Sequence, residues 1–184
     1  MKNILSEAEN LVEQQPDSAL RLLNSVLFPE DLNKSGFNKY NLLLLQAKDK
    51  SYKDITSDTI IFAVKEYYVQ KKDYPNAALA AYYCGRVRHE QGNIDKAVVA
   101  YAEAENLAEK TDNYNLKGLI QGNWGILHWE HSSYEKAVEF NKRAVVMYDK
   151  AQNYRNKINA LELIGDCFVL SKKQTAPFII ITKV

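Results

Sequence analysis

Apolar positions near the N-terminus recur at three- and four-residue steps, the period of one helix face. Leu5, Ala8, Leu11 and Val12 form a first stripe that ends at Gln15-Pro16. Asp17-Ser18-Ala19 opens a second helix, with Ala19, Leu22, Leu23 and Val26 on one side, and Pro29 closes the pair. Another amphipathic helix runs from Leu32 to Lys48, rich in Leu42 to Leu45. After the polar stretch Lys48 to Thr56, Ser57 or Asp58 is placed to cap a helix from Thr59 to Lys72. Further on the pattern becomes regular. It predicts helices over Asn76–Gln91, Ile94–Lys110, Asn115–His131, Tyr134–Ala151 and Arg155 to about Ser171. Gly92-Asn93 and Ser132-Ser133 break them, and Pro75 precedes the first, where a missing N–H does no harm. The expected fold is all-α: about four helix pairs and a lone fifth first-helix.

These helices repeat. Gly85, Gly125 and Gly165 lie 40 residues apart, as do Tyr74, Tyr114 and Tyr154, each directly after an Asp or Asn. Ile94-Asp95-Lys96-Ala97-Val98 recurs 40 later as Tyr134-Glu135-Lys136-Ala137-Val138, and Ala104 recurs as Ala144. Independent markers agreeing on one period identify a repeat architecture. The spacing has a packing reason. A Gly facing an Ala lets two antiparallel helices approach closely, so Gly85 is expected against Ala97 and Gly125 against Ala137. Ala104 and Ala144, two turns on, leave room for the following helix, and Tyr101 fills the layer between.

Within this pattern Gly85, Gly92, Ala97, Tyr101 and Ala104 in one repeat, and Gly125, Ala137 and Ala144 in the next, resemble the tetratricopeptide-repeat family. The specific match covers about residues 75 to 170, with repeats at 75–113, 114–153 and an incomplete 154–171. The resemblance implies a right-handed α-solenoid over residues 1–171, with degenerate pairs in the N-terminal half. Tetratricopeptide units are usually about 34 residues long. The longer period here is similar to that of bacterial sensory and regulatory repeat proteins, in which such arrays precede an output domain.

The C-terminus departs from the register. Position 177, where the repeat asks for Ala, is Pro177, and Phe178-Ile179-Ile180-Ile181 reads as strand. Residues 172–184 are therefore expected to be an irregular tail. Thr175 to Lys183, read one nucleotide earlier, can encode Asp-Ser-Ala-Phe-Tyr-Tyr-Tyr-Asn-Lys. That restores Ala at 177 and Tyr at 181, so the tail reads as a frameshift product of a longer array, the alternative being a genuine, poorly structured end.

Composition adds exclusions. With 24 Lys and Arg against 23 Asp and Glu, the 184-residue chain carries a net charge of +1. So balanced a chain is not expected to bind nucleic acid through this segment. Seven Gly and four Pro suit long helices better than many tight turns. No apolar run approaches the roughly 20 residues of a membrane span. The N-terminus reaches acidic residues too soon for a signal peptide, which predicts a cytoplasmic protein, or a periplasmic one if a leader has been removed. Cys84 and Cys167 have no metal or redox spacing and are expected as free, buried residues. No cofactor is implied.

In a helix-pair solenoid the first helices line a groove. Offsets of minus 3, plus 1 and plus 4 from each Gly select Tyr82, Arg86 and His89; then Gly122, Ile126 and Trp129; then Glu162, Asp166 and Val169. Tyr82, Arg86, His89 and Trp129 are the residue types that carry binding energy at interfaces. They are expected to form a recognition strip for a peptide or protein, with Gly122 leaving a gap for a partner's side chain. Lys and Asn, which clamp chaperone tails in some family members, are missing at Tyr82 and Arg86. His128 and His131, with Glu130 between, are half of a metal site at most. His128 stands where the family packs an aromatic, so no metal and no enzyme is expected, the alternative being a metal-dependent enzyme through His128, His131 and Glu130. The apolar Leu161, Ile164, Phe168 and Val169 lead to an expectation of self-association through residues 155–184.

Overall fold

Four polar side chains spaced 40 residues apart each start a helix. Asn33 accepts a hydrogen bond from the backbone N–H of Gly36 (2.9 Å), Asp73 from Asn76 (3.3 Å), Asn113 from Leu116 (3.0 Å) and Asn153 from Asn156 (3.0 Å). Each satisfies one of the orphan donors at a helix N-terminus. This is the physical meaning of an Asp or Asn before each repeated Tyr. It also carries the period one repeat further back than the glycines do.

The protein is described by a computed structural model over residues 2–175, with side chains from residue 3 to residue 172. Among the described residues the helices are α1 (Lys2–Leu11), α2 (Pro16–Asn24), α3 (Lys34–Lys50), α4 (Ile61–Lys71), α5 (Tyr74–Glu90), α6 (Ile94–Ala108), α7 (Tyr114–Glu130), α8 (Tyr134–Lys150) and α9 (Tyr154–Thr175), with a 3-10 turn at Pro29–Asp31. No strand is present among them. Consecutive helices pack as pairs, α5 on α6 and α7 on α8, and α9 packs on α8. Residues 172–175, expected in the tail, continue α9. The strand-prone Phe178–Ile181, Pro177 and the frameshift reading lie outside the described residues.

Turns obey the same register. Tyr52, Gly92 and Ser132, spaced by 40, have φ values of 55, 71 and 57°. Each occupies the left-handed region that lets a helix turn back tightly, which costs Gly92 least. The α3/α4 pair departs from the pattern where its side chains require it. Leu45 stands at the register of Gly85 and is buried, as is Ile61 at the register of Tyr101. A Leu in place of Gly prevents close approach, and α4 starts only at Ile61. Its N-terminus has no side-chain cap; Asp58, an expected cap, instead forms an ion pair with Lys48 at 2.7 Å.

Contacts divide the chain into two bodies, Met1–Thr111 and the part from Asp112 on. Helix-pair repeats hold themselves together locally, so such divisions fall between repeats. In the first body Leu5, Ala8, Val12, Ala19, Leu23, Tyr40, Leu43 and Ala47 form a core joining α1, α2 and α3. In the second, Ala144, Tyr148 and Ala160 join α8 to α9.

Candidate functional site

Ala97, Ala104, Ala137 and Ala144 are fully buried, as their small size requires at a close helix crossing. The glycines, however, accommodate a residue one turn beyond the expected alanine. A methyl group on Gly85 would overlap the ring of Tyr101, and one on Gly125 would overlap the Asn141 side chain. Tyr101 and Asn141 are register equivalents. Gly118 makes the same kind of room for Tyr148. A second equivalence supports each pair: Lys110 lies over the Tyr74 ring at 4.5 Å, and Lys150, 40 residues later, over Tyr114 at 5.0 Å.

The expected recognition strip is altered in the first body. Tyr82 is only 3% exposed and packs against Tyr83 and Tyr101, with ring centroids 5.1 and 6.1 Å away. Arg86 is paired with Asp49 of α3 at 2.8 Å and with Glu90 at 2.9 Å. Burial works against its charge, yet Tyr82 and Asp49 hold the guanidinium above its ordinary value. His89 is half-buried. Tyr82 and Arg86 thus serve the packing of α3, α5 and α6, because both side chains are long enough to reach neighbouring helices.

In the second body the expected gap at Gly122 exists. A cavity of about 160 Å³ is lined by Gly122, Ile126, Asn123, Asn156, Asn159 and Leu163, among others. Tyr148 Oη would sit 3.3 Å from a methyl group added at Gly122, so the wall is close but not closed. Asn123 donates from its amide to the Leu119 carbonyl (3.0 Å), which anchors one side. The side-chain amides of Asn156 and Asn159 have no hydrogen-bond partner among the described residues. Each offers a donor pair and an acceptor beside an apolar floor, the combination that holds a peptide backbone. Asn159 stands where α5 and α7 carry Leu79 and Leu119. That polar exchange in a leucine register was the available signal for this slot. Trp129 is 36% exposed near the end of α7.

On α9, Glu162, Asp166 and Val169 are exposed. So are Ile158 (54%), Leu161 (49%) and Phe168 (53%). Their register equivalents on α7 are better covered, Gly118 and Gln121 buried and His128 half-buried, and among the described residues Gly165 has no atom within 4 Å of an added methyl. One face of α9, opposite the buried Ala160 and Cys167, is therefore an apolar stripe with a notch at its centre.

The imidazoles do not converge on a common point. His128 stacks on Phe140 with centroids 5.2 Å apart and planes within 11°, while Nδ1 of His131 lies 2.8 Å from the Leu127 carbonyl oxygen. Desolvation, with Lys136 and His131 adding to it, holds His128 below its ordinary pKa. Among the described residues no cluster of three or more His, Cys, Asp or Glu has metal-binding geometry. Cys84 and Cys167 are free and buried, and burial pushes the Cys84 thiol up to about 12. No described helix is long and apolar enough to cross a membrane. Comparison with protein-family models, curated proteins and solved structures gives no match.

Proposed function

We propose that this chain is a non-catalytic helical-repeat scaffold of the tetratricopeptide kind, a right-handed solenoid of 40-residue helix pairs that binds a peptide or protein segment. The observation that carries the reading is the Gly122 slot, with Ile126 as floor and the amides of Asn156 and Asn159 uncommitted at its side. A peptide array probed with the full chain tests it. On an array of peptides without Asp or Glu, Gly122→Leu should fill the slot and abolish capture, with the helical circular dichroism and melting temperature unchanged. Capture that survives the substitution, or no capture by the parent chain, would refute this site.

A second reading, structural assembly, has its own support in the α9 stripe. An exposed face of Ile158, Leu161 and Phe168 around an empty Gly165 notch is costly in water and favourable to cover. We place self-association there. Sedimentation of the full chain should show association that Leu161→Glu with Phe168→Glu removes; a monomeric parent at high concentration rejects it. The resemblance to bacterial sensory and regulatory arrays suits either reading, since both make the chain a recognition part rather than a catalyst.

A further inference from the structure

The first body holds a cleft that neither reading uses. It has a volume of about 460 Å³ and lies between α4 and α6, with α5 beneath. Cys84 and Arg88, its contribution from α5, are on the opposite side of that helix from Tyr82, Arg86 and His89. Cys84 and Ala100 give a small, apolar floor, and the exposed Ala63 and Val99, the latter at 68% exposure, continue it onto the surface. The Cys84 sulfur lies 3.7 Å from the Ile61 carbonyl oxygen, so the thiol is turned into the structure as packing.

Charge in this cleft is unevenly spent. Lys65 bridges α4 to α6, holding both carboxylate oxygens of Glu103 at 2.9 and 2.8 Å and Glu66 at 2.9 Å. One cation thus occupies both acids of the lining. Arg88 and Lys96 are left with no carboxylate within ion-pair distance among the described residues. Arg88 is nonetheless held in place: its guanidinium lies 4.2 Å over the Phe62 ring, and one N–H donates to Gln91 at 3.1 Å. A stacked guanidinium keeps the rest of its donor fork for an incoming carboxylate, and loses little freedom on binding it. Lys96 supplies a second, exposed positive charge at the start of α6.

We propose that this cleft binds an acidic peptide segment, seating a large apolar side chain over Cys84 and Ala100 and directing a neighbouring carboxylate to Arg88 and Lys96. The apolar floor selects the side chain, and the unspent positive charge selects its acidic neighbour. The proposal concerns the body Met1–Thr111 alone and holds whether or not the Gly122 slot or the α9 stripe is used.

The test uses the full chain and a fluorescein-labelled, end-blocked hexapeptide, Asp-Glu-Phe-Leu-Asp-Glu, followed by anisotropy. Replacing its acids with Asn and Gln should weaken binding about tenfold or more, the loss expected for a charge-assisted hydrogen bond. Arg88→Gln and Lys96→Gln should each reproduce part of that loss. Val99→Glu, at an exposed position, should abolish binding with an unchanged helical signal, while Gly122→Leu should have no effect. The proposal is overturned if the hexapeptide does not bind, if the amide version binds equally, or if the three cleft variants bind as the parent does. It is overturned equally if dodecanoate displaces the peptide at far lower concentration, since the cleft would then suit a small anionic amphiphile.

Discussion

Helices α7 and α9 occupy the same register of one repeat, and their neighbours give them different properties. Gly125 on α7 is closed over by Asn141 of α8, whereas the equivalent Gly165 on α9 faces no described residue within 4 Å. Gly118 and Gln121 are covered, while Ile158 and Leu161 are exposed. A glycine is a packing device only where a second helix arrives to use it. On α9 the same residue is conformational cost without return, and large apolar residues beside it are exposed.

The largest expected effect tests the residue that fills the notch. Tyr101 is fully buried against Gly85, so Tyr101→Ala should cost about 3–5 kcal/mol by analogy with large aromatic deletions. At the equivalent position Asn141 donates to the Ala137 carbonyl at 2.8 Å. Asn141→Ala should cost less, about 1–3 kcal/mol. Urea titrations giving equal losses would show that the two positions do not do the same work at different size. Ala137→Leu should overpack the α7/α8 crossing and cost about 1–3 kcal/mol. A melting curve like the parent's would break the alignment of this pair.

A smaller effect is expected from His128, half-buried on α7. Its folded pKa lies below the ordinary 6.5, from desolvation first and then from Lys136 and His131. The fold therefore prefers the neutral ring. That contribution is complete above pH 6.5 and is lost as the pH falls through the lowered folded value. Melting temperature should decline over that window, and His128→Phe should flatten the decline. His128 already stacks on Phe140 with ring centroids 5.2 Å apart, so a phenyl ring can take the same contact. An unchanged pH profile in the variant would assign the dependence elsewhere.

How much of this was readable from the chain varies with the size of the residues involved. The register of α5 to α9 followed from Gly, Tyr and Ala markers, because small residues at fixed spacing have few alternative uses. The start of α3 is equally marked, by Asn33 lying 40 before Asp73, but its glycine position is Leu45, so the glycine period does not reach it. Asp58 looked like a cap and is spent on Lys48. Tyr82 and Arg86 sit at the expected offsets, yet offsets give direction without reach. A ring 6.1 Å from Tyr101 and a guanidinium on Asp49 are long-range contacts that local spacing does not contain. The slot beside Gly122 was anticipated as a gap, while its asparagine wall comes from α9 and needed the packing of α7 and α8 to be seen.

The most direct test of the account compares Gly125→Ala with Gly165→Ala, each unfolded in urea at a concentration where the chain is monomeric. Gly125→Ala places a methyl against Asn141 and should lower stability by about 1–3 kcal/mol. Gly165→Ala meets open space and gains helix propensity, so stability should rise by up to about 1 kcal/mol. Opposite signs at equivalent positions are the result predicted for one covered and one open helix. If both substitutions destabilise the chain alike, α9 is already covered in the monomer and the account of its open face is wrong.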